Sequence, residues 1–197
     1  MKTCFSRKKH ISLHIKDGMS IIAFKITEDK AQVAFDGRCI HNEDCIASEN
    51  YIKAYKISDC LIIGVTGLAD TVEMFKKFVE VNKRVFETMT SNTEAIPMMI
   101  RFKNALIEQY GYGEKDAKDL GGYLILNKNY HSVFYFDDDN FRPYPTKDSM
   151  DCGAFGSTGI YTSALIDVGF SLEDAIKMSA KKYTSINDNV TILEIDK

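Results

Sequence analysis

Short runs rich in apolar and β-branched residues, broken by polar turns, fill the first third of the chain and predict strands. Ser20 to Thr27 is rich in apolar and β-branched residues, Glu28-Asp29-Lys30 is a polar turn, and Ala31 to Phe35 resumes the pattern. A polar stretch from Cys39 to Asn50 follows. Tyr51 to Ile57 and Leu61 to Val65 then flank Ser58-Asp59, a tight hairpin turn. Four short strands in succession predict an antiparallel meander. The period then lengthens to that of a helix. Val72, Phe75, Phe78, Val79 and the run to Val85 mark one from Thr71 to about Phe86, and Ala95, Met98, Met99, Phe102, Leu106 and Ile107 mark another that Gly111 stops. Gly122 to Leu126 and His131 to Phe136 predict a second hairpin, with Asp137 to Asn140 as a solvated loop. A helix opens at Gly156-Ser157-Thr158-Gly159 and runs to about Val168, where Gly169 ends it. Ser171 and Asp174 cap a further helix to about Tyr183, and Val190 to Ile195 closes the chain as a strand. Runs of strands separated by pairs of helices predict an α+β layered domain of antiparallel sheets covered by helices.

Composition narrows the classes of partner. The chain has 197 residues, enough for one core, with 25 basic and 28 acidic side chains and a formal charge of −3. No global field attracts nucleic acid or anionic membrane. The longest apolar runs, such as Cys60 to Val65, fall far short of the roughly 20 residues of a spanning helix. Five scattered cysteines, never in a C-x-x-C pair, fit a reducing cytoplasm rather than a disulfide framework or a zinc ribbon. Lys2, Arg7, Lys8 and Lys9 give a basic start, but residues 10–17 lack the continuous apolar segment of an export signal.

Four local motifs stand in order. The first is Ser20-Ile21-Ile22-Ala23-Phe24 leading to Phe35-Asp36-Gly37-Arg38, and the second is Asn50-Tyr51-Ile52-Lys53. Thr66-Gly67-Leu68-Ala69-Asp70 and Gly156-Ser157-Thr158-Gly159 complete the set. Their order and spacing resemble the proteasome β-type family, including the bacterial HslV peptidases. These are N-terminal-nucleophile hydrolases built as a four-layer α-β-β-α sandwich of two antiparallel sheets. In that family a nucleophile, usually Thr, opens the first strand. An aspartate closes the second at the Ser20-to-Asp36 spacing, and the lysine-to-glycine gap matches Lys53 to Gly67. The resemblance covers residues 20–195. It departs in placing Ser rather than Thr at the nucleophile position, in the residues ahead of Ser20, and in Asn187-Asp188-Asn189 where active members carry a fuller D-x-x-S-G pattern.

The resemblance implies a division into a leader or propeptide, residues 1–19, and a hydrolase domain, residues 20–197. It implies Ser20 as nucleophile with its own α-amine as base, at a pKa of about 7.7–8.0. Lys53 would favour the oxyanion form of the hydroxyl, and Asp36 would hold Lys53 and compensate its burial. Gly67 would supply an oxyanion donor, Ser157 and Asp188 would orient the amine, and Arg38 would support the site. Cys39, Tyr51, Tyr55, Val65 and Ala69 would line the substrate pocket, an apolar set that suggests cleavage after apolar or aromatic residues. No cofactor or metal is implied. The implied partners are peptide or unfolded-protein substrates, other copies in a homo-oligomeric ring, stacked in pairs, and an ATP-dependent unfoldase.

Plainer readings stand beside these. Asp36-Gly37 is also an ordinary turn signal, Lys53 could face solvent, and Gly156 to Gly159 could be a capped helix start. No lysine follows that glycine pair as a P-loop requires. His41, Asp44 and Cys45 cluster without a second ligand pair. Spacing leaves a triad on His10, His14, His41 or His131 open, none of them in a recognisable motif. The leader separates two functions. If it is removed, Ser20 becomes a free terminus and the chain is a peptidase subunit. If Ile11, Leu13 and Ile15 instead form a permanent strand, the chain is a catalytically silent structural or regulatory subunit.

Overall fold

The computed structural model describes residues 20–41, 45–113, 115–116, 120–146 and 151–197. The expected leader, His10, His14 and Asp44 lie outside these residues. Strand β1 (Ile21–Ile26) turns back into β2 (Lys30–Asp36) with Ala23 opposite Ala34. Two strands from the far end of the chain complete this sheet: β10 (Cys152–Gly156) pairs with β1 and β11 (Val190–Asp196) with β2, giving the order β10-β1-β2-β11. A second sheet runs in chain order through β5 (Ala54–Ser58), β6 (Leu61–Val65), β7 (Tyr123–Asn127), β8 (His131–Phe136) and β9 (Pro143–Pro145). All of these pairings are antiparallel.

The period-2 alternation of strand side chains explains the layering. On β1 and β2, Ile22, Phe24, Val33 and Phe35 meet Ile62, Leu124, Leu126 and Val133 of the second sheet. Ile21, Ala23 and Ala34 face the other way, onto Ile166 of α4 (Gly159–Asp167) and Leu172, Ala175 and Ile176 of α5 (Leu172–Lys182). On the second sheet, Leu61, Ile63, Tyr123, Ile125 and Phe134 turn outward to α1 (Ala69–Val81), α2 (Lys83–Thr88) and α3 (Asn92–Tyr110). Phe75, Phe102 and Tyr123 interlock there with ring centroids 5.0, 5.1 and 5.4 Å apart. The layers are therefore helix, sheet, sheet, helix, as expected.

Three local expectations differ. The first four strands do not form one meander. Both edges of β2 are occupied, by β1 and β11, so the chain leaves that sheet after Asp36 and starts the second at Ala54. The polar stretch between them carries a ribbon of its own, β3 (Cys39–His41) with β4 (Cys45–Ser48). The helix expected over 71–86 breaks at Asn82, whose side-chain amide donates to the Phe78 carbonyl at 2.8 Å and competes with helix propagation. The cap at Ser171 is present: its hydroxyl oxygen accepts from the Asp174 N–H at 3.1 Å. No helix among the described residues is long and apolar enough to cross a membrane.

Candidate active site

The β1–β2 register sets the start of β1 beside the end of β2, so Ser20 arrives where Asp36 leaves the sheet. Asp36 is fully buried and its carboxylate accepts four hydrogen bonds. Oδ1 takes Lys53 Nζ at 2.5 Å and the Ile21 N–H at 3.1 Å, and Oδ2 takes the Arg38 N–H at 3.0 Å and the Asn187 N–H at 3.4 Å. Lys53 leads into β5, and its carbonyl accepts from the Val65 N–H at 2.9 Å, which ties it to the end of β6. Its side chain is only 1% exposed. Burial pushes the Lys53 ammonium below its usual pKa, and the Asp36 charge and hydrogen bond oppose that shift. A lysine that could have faced solvent is thus an interior cation with one carboxylate partner.

Ser20 is 8% exposed. Its carbonyl accepts from the Ser157 N–H at 3.0 Å, so the turn into α4 holds the start of β1. Ser20, Lys53, Gly67, Cys39, Tyr51, Val65 and Ala69 line one small cavity. Gly67 adopts φ +100°, a conformation that favours glycine. Ile40 and Val72 also line the cavity, and the expected set lacks both. Tyr55 lies elsewhere: its hydroxyl donates to Glu73 at 2.5 Å and its ring sits 4.2 Å beneath the Lys76 ammonium. Burial raises the Cys39 pKa despite the nearby Lys53, so this group stays a thiol at neutral pH.

The crystal structure of eukaryotic HslV from Trypanosoma brucei aligns with 90% of this chain and 99% of its own, with a TM-score of 0.64 and 14% sequence identity. The chain has the HslV-like fold. No protein-family model and no curated protein matches the sequence.

Within this HslV-like fold a polar clamp surrounds the Asp36 end of β2. Arg38 forks onto Glu49 at 2.9 and 3.1 Å and donates to the Thr184 carbonyl at 2.6 Å. The Arg38 hydrogen bond, aided by Asn187, holds the Glu49 carboxyl below its usual range. Asn187 accepts from the Gly37 N–H at 2.9 Å and donates to the Glu49 carbonyl at 3.0 Å. Asp188 is exposed and faces a surface groove with Arg38 and Lys177. The Ser157 hydroxyl stands 3.4 Å from that of Ser185. The structure therefore gathers Ser20, Lys53, Gly67 and Ser157 near Asp36, and it is Asn187 rather than Asp188 that reaches the aspartate.

This arrangement ranks two neighbours. Asn187→Ala removes two hydrogen bonds, from the Gly37 N–H and to the Glu49 carbonyl, and although the Gly37 N–H keeps the Asn189 carbonyl at 3.0 Å the loss is expected to cost about 1–3 kcal/mol. Asp188→Ala should cost less than about 0.5 kcal/mol, as exposed substitutions do. Urea unfolding of the two variants checks the order, and a larger loss for Asp188→Ala would overturn it.

Proposed function

We propose that the chain is a proteasome/HslV-like peptidase subunit in which Ser20, freed at its amine by loss of residues 1–19, hydrolyses peptide bonds. The observation that carries this reading is the buried Lys53–Asp36 pair, with Lys53 lining the same cavity as Ser20. A fully buried cation is costly to keep, and a neighbouring hydroxyl that must become an oxyanion gives it a use. In the first step the α-amine accepts the Ser20 hydroxyl proton and Oγ bonds to the scissile carbonyl carbon. The Gly67 N–H stabilises the resulting oxyanion. The amine then returns the proton to the leaving nitrogen as the C–N bond breaks. Water, deprotonated by the same amine, releases the acyl group and regenerates Ser20. Ser157 holds the Ser20 carbonyl in place throughout, and no step is given to Asp188.

The same reading implies a homo-oligomeric ring in the cytoplasm, fed by an ATP-dependent unfoldase. Four free cysteines among the described residues support a reducing compartment. Val81, Ile160 and Val168, 86%, 93% and 74% exposed, supply apolar surface for contacts between copies.

Intact mass spectrometry of the full reading frame beside a Ser20→Ala variant tests the reading. The wild type is expected to begin at Ser20 and to cleave peptides, with kcat/KM rising through about pH 7–8 as the amine loses its proton. Ser20→Ala is expected to keep residues 1–19. Retention of those residues in both proteins would leave Ser20 with an amide, remove the base, and make the chain a silent subunit.

A further inference from the structure

Gly67 is a permissive residue at φ +100°, so nothing within it fixes the direction of its N–H. That direction is set by the backbone on either side. Upstream, Thr66 is pinned twice to Gly122: its N–H donates to the Gly122 carbonyl at 2.9 Å, and its hydroxyl accepts from the Gly122 N–H at 2.9 Å. Gly121 packs so closely there that a Cβ on it would lie 2.8 Å from the Gly67 nitrogen. Downstream, the chain enters α1 at Leu68, which supplies no side-chain cap. The Leu68 carbonyl is held from within the same turn, by the Thr71 N–H at 3.1 Å and the Thr71 hydroxyl at 2.6 Å. A hold from outside the helix comes from Tyr51, whose hydroxyl donates to the Ala69 carbonyl at 2.6 Å. At its other end, the Tyr51 N–H donates at 2.7 Å to the carbonyl of Gly37, the residue after Asp36. Tyr51 therefore bridges the turn that carries Asp36 and the loop that carries Gly67. Burial pushes the Tyr51 hydroxyl up to about 12, so it stays protonated and remains a donor at physiological pH.

We propose that Tyr51 is a positioning residue for the hydrolysis: through its bond to Ala69 it holds the Gly67 N–H where the oxyanion formed by Ser20 attack develops. The inference rests on the peptidase reading and deepens it. The hydroxyl is committed to backbone, so it acts on the reaction through Gly67. An oxyanion donor works over a narrow range of about 2.7–3.1 Å, and a displacement of about 1 Å in such a site costs up to about 100-fold in rate. The loss falls on the transition state and not on the bound substrate, so it enters kcat and kcat/KM alike and leaves KM unchanged. Tyr112 supplies a matched comparison. Its hydroxyl donates at 2.7 Å to the Asp70 carboxylate, on the same turn of α1, but it holds a side chain rather than the backbone and does not line the cavity.

The test compares wild type, Tyr51→Phe and Tyr112→Phe, with rates normalised to the fraction of chains that mass shows to begin at Ser20. Each variant keeps its ring and loses one hydroxyl bond, so both thermal midpoints should fall by about 2–4 °C. Tyr51→Phe is expected to lower kcat and kcat/KM together by about 10–100-fold, while Tyr112→Phe stays within about twofold of wild type. A peptide boronic acid gives the second readout. Its boron takes a bond from Ser20 Oγ as the hydroxyl proton passes to the α-amine, and a boron-bound oxygen occupies the oxyanion position. Its affinity should fall in Tyr51→Phe by the same factor as kcat/KM. A Tyr51→Phe protein that folds but keeps residues 1–19, where Tyr112→Phe loses them, shows the same defect in the first cleavage and supports the inference. An unchanged kcat in Tyr51→Phe, a rise in KM alone, an equal loss in Tyr112→Phe or an unweakened boronate overturns it and leaves the Ser20 chemistry standing. A wild type that keeps residues 1–19, or that begins at Ser20 and cleaves no peptide, overturns the peptidase reading, and the inference with it.

Discussion

Lys53→Met is expected to abolish detectable peptidase activity and to destabilise the fold, two losses that a double variant separates. The ammonium is buried against Asp36 at 2.5 Å, and removing it leaves a carboxylate in the interior with no cation. Breaking such a pair from one side costs roughly 3–5 kcal/mol. On the proposed mechanism, the loss of a charge beside the developing oxyanion adds about 10²–10³-fold in rate. Lys53→Met/Asp36→Asn removes both charges and keeps one side-chain oxygen, which can serve the Arg38 and Asn187 N–H groups while the amide nitrogen faces the Ile21 N–H, whereas an apolar residue at 36 would strand all three. The double variant should therefore recover part of the stability of the single one and none of its activity. Guanidinium unfolding and peptide hydrolysis, run on the same three proteins, check both arms. A stability loss below about 1 kcal/mol for Lys53→Met would show that the pair is not buried as described, and retained hydrolysis would remove Lys53 from the chemistry.

The residues of this pair were legible in the sequence because antiparallel register transmits spacing. Once β1 and β2 are known to be joined by a short turn, Ser20 and Asp36 must meet at one end of the hairpin, and Asp36 accepts from the residue next to Ser20. Lys53 was legible through its spacing to Gly67, and the Val65 N–H to Lys53 carbonyl bond makes that spacing a hairpin register. The layering followed from alternation on strands buried on both faces. Long-range pairing was less legible. That the free edge of β2 is taken by β11, not by the next strand along the chain, depends on contacts between residues far apart in sequence. The β3–β4 ribbon had no signal either, since Cys45, Ile46 and Ala47 are exposed and show no alternation. The sequence marked no strand at β9, whose two prolines disfavour one, yet β9 is an edge strand, where a missing N–H is tolerated. Between Asn187 and Asp188 composition offers nothing to choose. Only the pairing of Val190 with Asp36 places the first of them against Gly37.

Gly156→Ala is expected to damage the site from behind, through backbone rather than through any group that takes part in chemistry. Gly156 ends β10 at φ +109°, opposite Ile21, and a Cβ there would lie 2.0 Å from the Ser20 carbonyl oxygen. That oxygen is the one the Ser157 N–H holds, so relieving the clash moves Ser20 and loosens its anchor together. Gly169 provides the control. Its φ of +102° is nearly the same, but an added Cβ meets nothing within 4 Å, so Gly169→Ala reports conformational strain alone, about 1–2 kcal/mol. The excess cost of Gly156→Ala over Gly169→Ala then measures the contact with Ser20, and a further roughly 1–3 kcal/mol is expected from overpacking a site whose neighbours are backbone. Leader removal and peptide hydrolysis should fail in Gly156→Ala and survive in Gly169→Ala. Equal stability losses in the two variants would mean that the close approach at Ser20 does not exist. A stability gap without a functional one would mean that the position of Ser20 is structural, and the nucleophile would have to be sought elsewhere.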